Sequence, residues 1–175
     1  MKVIGLAGWS GAGKTTLLTQ LIPHFTSEGL RVSTVKHAHH KFDVDVPGKD
    51  SWRHRQAGAT EVLVASGRRW VLMHELRNAP EPPLRDLLEK MARVDLVVVE
   101  GFKAGSHPKI EVHRAANGRP LMFPQDPGIV GVVSDIDPET TLPVAHIDDI
   151  AAVARLIKVS AAKIEDVLAR EAAGA

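Results

Sequence analysis

The chain has no cysteine, which excludes a disulfide scaffold, a thiol nucleophile, a thiolate zinc site and an iron–sulfur cluster together. That lack suits a reducing compartment. Neither sign of charge is in excess: 22 Lys and Arg face 21 Asp and Glu. There is therefore no broad electrostatic footprint for nucleic acid or an anionic membrane, and only a local anion site stays open. No stretch approaches the roughly 18 apolar residues that a spanning helix requires. The opening VIGLAG is too short for a secretory h-region and lacks a small-residue cleavage site. These absences lead to the expectation of a soluble cytoplasmic protein. Tyrosine is missing too, so Trp9, Trp52 and Trp70 alone report by strong intrinsic fluorescence.

What is present fits one domain. At 175 residues the chain can bury about 70% of the surface that its unfolded form exposes, enough for a core without staples. Residues 2 to 8 form a short apolar run ending in glycines, the pattern of a buried parallel strand. Leu17, Leu18, Leu21, Ile22 and Phe25 follow at helical spacing over residues 14 to 28, with Gly29 at a C′ position. Pro23 inside that pattern predicts a kink or a break. Residues 30 to 36 read as a second strand, and His37 to Asp50 as a long loop.

Asp50 or Ser51 can cap a short helix through Ala57. Two strand-like runs, 60 to 66 and 69 to 74, flank Gly67 and Arg68 as a hairpin. Pro82 and Pro83 open a helix bearing Leu84, Leu87, Leu88 and Met91. VDLVVVEG at 94 to 101 is the strongest buried-strand signal, with further strands at 109 to 113 and 129 to 134. Helices over 147 to 158 and at the end of the chain complete the pattern. Strands alternating with helices predict an α/β fold, a mostly parallel twisted sheet with helices on both faces, and a single nucleotide-binding domain over 1 to 175.

The motif that decides the class is GWSGAGKT at residues 8 to 15, which matches G-x-x-x-x-G-K-[ST]. Converging backbone N–H groups are needed to hold phosphate oxygens, so the loop passes through conformations that Gly8, Gly11 and Gly13 tolerate. The helix beginning near Lys14 turns its positive end toward the phosphates, Lys14 reaches the β and γ oxygens, and the Thr15 hydroxyl can ligate Mg²⁺. Gly8, Trp9, Ser10, Gly11, Ala12, Gly13, Lys14, Thr15 and Thr16 are the candidate nucleotide-binding residues of this P-loop NTPase pattern. A buried strand directly before the loop and an amphipathic helix directly after it argue against a chance glycine-rich turn.

A P-loop site also needs a carboxylate at the end of a neighbouring strand. Glu100 ends the VDLVVVE run, at the edge where open α/β sheets bind ligands, so Glu100 and Thr15 are the candidate metal residues and Lys14 and Glu100 the candidate catalytic ones. The alternative for Glu100 is a cap on the following turn. Asp95, at the other end of the run, reads as structural. His37, His39, His40 and His54 invite a transition-metal reading, against which stand the lack of cysteine and of any HExxH spacing. Asp43, Asp45, Lys49 and Asp50 suggest instead a segment that reaches the γ-phosphate, with Asp45 a third catalytic candidate. Asp135, after the strand GVVS, can accept from the guanine N1–H and amine, or can serve as a turn cap.

With GWSGAGKTT, VKHAHHKFDVDVPGKDSWRHRQAGA and VVVEGFK in this order, the sequence resembles the molybdopterin-guanine dinucleotide biosynthesis adapter proteins of the MobB family over nearly its whole length. The resemblance implies a homodimeric GTP-binding protein with weak Mg²⁺-dependent GTPase activity. It implies work beside the guanylyltransferase that attaches GMP to molybdopterin, with molybdopterin or molybdoenzymes as further partners. The residues themselves support phosphoryl chemistry but show no catalytic base, which fits weak hydrolysis. Arg53, Arg55, Arg68 and Arg69 are candidates to stabilise transferred charge. Two alternatives stay open at this point: a P-loop small-molecule kinase, and a metal-delivery GTPase using the His-rich loop.

Overall fold

The computed structural model describes residues 1–38 and 42–173; His39 and His40 of the metal reading lie outside them. The chain divides into two compact units, Met1–His37 with Leu84–Ala175, and Ala38–Pro83.

In the first unit the strands are β1 (Lys2–Ala7), β2 (Val32–Lys36), β5 (Leu96–Glu100), β6 (Lys109–His113), β7 (Ile129–Ser134), β8 (Val144–His146) and β9 (Ala162–Lys163). Its helices are α1 (Lys14–Ser27), α3 (Leu84–Lys90), α4 (Ile150–Ser160) and α5 (Ile164–Ala173). Six strands run parallel in the order β2-β5-β1-β6-β7-β8, and β9 joins β1 antiparallel. The period of two sorts the central strands between two cores. Ile4, Leu6, Leu96, Val98, Ile110 and Val112 face α1 and α4, whereas Val3, Val97 and Val99 face α3 and α5. The mostly parallel sheet with helices on both faces is thus the observed architecture.

Phe25 of α1 is fully buried in the first core, a burial that stabilises by roughly 1.5–3 kcal/mol. Pro23 does not break α1, which runs unbroken from Lys14 to Ser27. The proline lies on the exposed face, as does Thr19, whose carbonyl it leaves open to solvent, while Leu17, Leu18, Leu21 and Phe25 pack on both sides of it. The helix ends in a Schellman motif: Gly29 (φ 84°) donates to the Thr26 carbonyl and Leu30 to that of Phe25. At the head of α4 the Asp149 carboxylate accepts from the Ala152 N–H at 2.8 Å, a cap that contributes about 1 kcal/mol.

The second unit holds α2 (Asp50–Gln56) and an antiparallel hairpin of β3 (Glu61–Ala65) and β4 (Trp70–His74), in register from Glu61 with His74 to Ala65 with Trp70. The expected cap on α2 is not made by Asp50 or Ser51. Lys49 occupies the N-cap position without a side-chain bond, Asp50 begins the helix, and the Ser51 hydroxyl donates to Asp45 at 2.8 Å instead.

Candidate functional site

The loop between β1 and α1 is built by backbone conformations that side chains resist. Gly8, Gly11 and Gly13 have φ of 140°, 82° and 91°. At Gly8 a Cβ would stand 2.3 Å from the Val112 carbonyl oxygen of β6. The residue is therefore glycine for two reasons, its conformation and the lack of room. Gly13 is the N-cap residue of α1, whose first-turn N–H groups and dipole face the loop.

Lys14 folds back over this loop. Its ammonium donates to the Gly8 carbonyl at 2.8 Å and the Trp9 carbonyl at 3.0 Å. Burial lowers its pKa, opposed by Glu100 and assisted by the positive charges of Lys103 and Lys36. Three ammonium groups thus act on one small volume, with a single carboxylate among them. Such a field favours an anion.

Glu100 stands where the sequence places it, at the C-terminal end of β5. The Thr15 hydroxyl lies 3.5 Å from its Oε1, and the Lys36 ammonium 3.9 Å from its Oε2. The turn that follows is strained. Gly101 has φ 95°, a Cβ there would lie 2.6 Å from that of His37, and Phe102 holds φ 49° although it is not glycine. A residue in that region costs on the order of 1–3 kcal/mol. Phe102 is held there by its ring contact with His37 at 4.7 Å and by packing on the second core. The His37 N–H donates to the Glu100 carbonyl at 2.8 Å, so the ends of β2 and β5 are tied together.

The segment after β6 flanks the loop on its other side, and nothing local in the sequence marks it. A 3₁₀ turn at Ala115–Asn117 places Asn117, whose amide donates to the Ser10 carbonyl at 2.9 Å. The Trp9 indole is tied to this segment: its Nε1–H donates to the Pro120 carbonyl at 2.8 Å, and Lys103 and Arg119 lie over its ring at 5.7 and 5.6 Å. Behind the segment, β6 buries Glu111, which accepts from the Met122 and Phe123 N–H groups, and Lys109, paired with Asp126 at 3.3 Å.

Asp135 follows β7. One of its oxygens accepts from the Ala115 N–H at 2.9 Å, and that bond holds its carboxyl below the usual range. Of the remaining candidates, Asp95 is structural as expected, accepting from the Arg31 backbone N–H at 2.8 Å. Ala12 is buried, and Ser10 and Thr16 are exposed.

Asp45 lies in the second unit, where Asp43, Asp45 and Glu75 surround the Arg55 guanidinium at 2.8, 3.2 and 2.8 Å. Arg55 is thereby committed to structure, and its guanidinium holds the Asp43 carboxyl below the ordinary range. Among the described residues no cluster of three His, Asp, Glu or Cys side chains could hold a metal ion. Among the same residues no helix is long and apolar enough to cross a membrane.

The architecture agrees with known proteins. A family model described as molybdopterin guanine dinucleotide synthesis protein B matches residues 3–135. A molybdopterin-guanine dinucleotide biosynthesis adapter protein of Escherichia coli (strain K12) is 40% identical over 158 residues, covering 89% of this chain and 90% of that protein. One of Haemophilus influenzae is 45% identical over 122 residues, covering 68% and 67%. Among solved structures, a molybdopterin-guanine biosynthesis protein B superposes with a TM-score of 0.68 at 27% identity, over 90% of this chain and 98% of the other. A Bacillus subtilis MobB superposes with a TM-score of 0.69 at 20% identity, over 91% and 98%, and at that identity shows the fold alone. The chain belongs to the molybdopterin guanine dinucleotide synthesis protein B family.

Proposed function

We propose that the chain is a GTP-binding adapter of molybdopterin-guanine dinucleotide biosynthesis with weak Mg²⁺-dependent GTPase activity, working in the cytoplasm beside the guanylyltransferase, with molybdopterin or molybdoenzymes as further partners. The observation that supports it most is the assembly of Gly8–Thr15 with Glu100: an N–H-lined loop at a helix start, an ammonium held over it, and a hydroxyl 3.5 Å from a carboxylate.

Two hard oxygens at that spacing fit one octahedral cation, whose neighbouring ligands at about 2.1 Å stand about 3 Å apart. Thr15 and Glu100 would hold Mg²⁺, which when bound neutralises charge on the β and γ oxygens. Lys14 would exchange two loop carbonyls for phosphate oxygens, a stronger, charge-assisted contact. Asp135, one of whose oxygens accepts from the Ala115 N–H, would accept from the guanine N1–H and amine with its carboxylate. Asp45 is the third proposed catalytic group, and the whole chain is proposed to act as one nucleotide-binding domain.

The hairpin of the second unit supports the homodimer reading. Leu63, Val64, Trp70, Val71 and Leu72 are exposed on it, an apolar surface that monomeric proteins seldom present. Substituting Leu63→Lys and Leu72→Lys together should turn a dimer into a monomer in sedimentation; an unchanged dimer would place the interface elsewhere.

The catalytic proposal is tested by GTP hydrolysis with and without Mg²⁺, in the native protein and in Glu100→Gln. Loss of hydrolysis with nucleotide binding largely kept is expected, because an amide is a poorer partner for a hard cation or its water. Equal rates in the two proteins would reject Glu100 as the metal residue.

A further inference from the structure

The segment from His113 to Pro120 is tied to its neighbours at several polar groups. The His113 ring contacts the Ser134 hydroxyl at 3.1 Å and the Arg119 carbonyl at 3.2 Å. The Ala115 N–H is held by Asp135, the Asn117 amide by the Ser10 carbonyl, and the Pro120 carbonyl by the Trp9 indole. Arg119 lies over the Trp9 ring. Arg114, unlike the exposed Arg119 with its ring contact, has no such partner. It is half-buried, yet among the described residues its guanidinium has neither a hydrogen bond nor an ion pair. The guanidinium contributes to the field at Asp135 without forming an ion pair with it.

Its position is specific. The Arg114 Nε lies 3.2 Å, and its Cδ 3.9 Å, from the point where a Cβ on Gly13 would stand. Glycine at 13 therefore leaves room for the guanidinium directly beside the residue that caps α1 and precedes Lys14. A guanidinium offers five donors in a planar fork that matches phosphate oxygens. Here the backbone that carries it is tied on both sides, by Ser134 and Asp135 through His113 and Ala115 and by the P-loop through Asn117, so little backbone freedom remains to be lost on binding.

We infer that Arg114 is a nucleotide-binding residue, whose guanidinium beside Gly13 takes a phosphate oxygen of a nucleoside di- or triphosphate seated in the P-loop and gives, in cis, a second positive contact beside Lys14. This rests on the P-loop reading above and extends it to a residue outside the motif. Asn117 is a positioning residue in the same device, holding the loop apex against the segment that presents Arg114.

The test is calorimetric titration with GDP and with GTP, in Mg²⁺, of the native protein, Arg114→Ala, Arg114→Gln, Arg114→Lys and Lys14→Ala, each checked by thermal melting. Arg114→Ala and Arg114→Gln should each weaken both nucleotides by about tenfold, equivalent to about 1.4 kcal/mol, with Arg114→Lys in between. Native affinity in Arg114→Ala or in Arg114→Gln overturns the inference. Should Arg114→Ala fail to fold, the Gln and Lys variants decide in the same way, since both retain the packing of the stem. A loss in Lys14→Ala with none in the Arg114 variants removes the inference alone. Native affinity in Lys14→Ala as well removes the P-loop reading on which it stands.

Discussion

Gly8 offers a quantitative test of how the phosphate loop is built. Replacing it with alanine meets two costs that can be separated. The first is conformational: φ of 140° lies in a region almost reserved for glycine, at a cost on the order of 1–3 kcal/mol. The second is steric. A Cβ 2.3 Å from the Val112 carbonyl oxygen forces β1 and β6 apart or shifts the loop, an overpacking that costs about 1–3 kcal/mol. Gly8→Ala should therefore lose about 2–6 kcal/mol of stability, a large part of the roughly 5–15 kcal/mol that a domain has. Gly29→Ala is the matched control, because Gly29 has φ of 84° but nothing within 4 Å of its Cβ. It should lose only about 1 kcal/mol, since the αL cost is partly offset by the stiffer unfolded chain. Urea denaturation of the three proteins gives both numbers, and nucleotide titration of Gly8→Ala reports whether the shifted loop still binds. A loss in Gly8→Ala no greater than in Gly29→Ala would refute the claim that Val112 closes the space behind the loop.

Other perturbations probe different parts of the account. His107 is fully buried and, among the described residues, neither of its ring nitrogens has a partner. Burial, with Lys109 beside it, pushes its pKa down to about 4. The unfolded chain takes up this proton near the ordinary value of about 6.5 and the native chain does not, so stability from this residue is complete above about pH 6.5 and falls by about 3 kcal/mol as the pH drops toward 4. His107→Gln should flatten that slope in urea denaturation between pH 7 and 4.5; a slope equal to the native one would place the dependence elsewhere. Addition of GTP and Mg²⁺ should shift the tryptophan fluorescence, and Trp9→Phe should diminish the shift while leaving affinity within about 1 kcal/mol, because the indole N–H is taken up by the Pro120 carbonyl. A signal that survives at full size would show that Trp9 does not sense loop ordering. Asp135→Asn should narrow the preference for guanine over adenine in competition titrations, and an unchanged ratio would leave Asp135 only its bond to Ala115.

The parts of the fold legible in the sequence are those whose signals are local. β1, the glycine loop and α1 follow one another as a buried run, a motif and a 3.6-residue stripe, and β5 ends in Glu100 as its apolar run predicts. The short strands β8 and β9 were not legible, because three and two residues are too few to show a period. Pro23 misleads because propensity counts the lost hydrogen bond but not the packing of Leu21 and Phe25 on either side. The capping of α2 differs from expectation because Ser51 is drawn to a carboxylate in the preceding loop. Arg114, Asn117 and Pro120 were invisible as site residues for a simple reason. Asn117 and Ser10 meet across 107 positions of chain, and only the parallel placement of β6 beside β1 brings them together.

The central claim is that Gly8–Thr15 with Glu100 forms a guanine-nucleotide site, and equilibrium titration with GTP and with ATP in Mg²⁺ addresses it most directly. Saturable, one-site binding of GTP in preference to ATP is expected, weakened at least tenfold in Lys14→Ala, since a charge-assisted contact contributes about 1.5–3 kcal/mol. No binding of either nucleotide, or GTP affinity unchanged in Lys14→Ala, would contradict it.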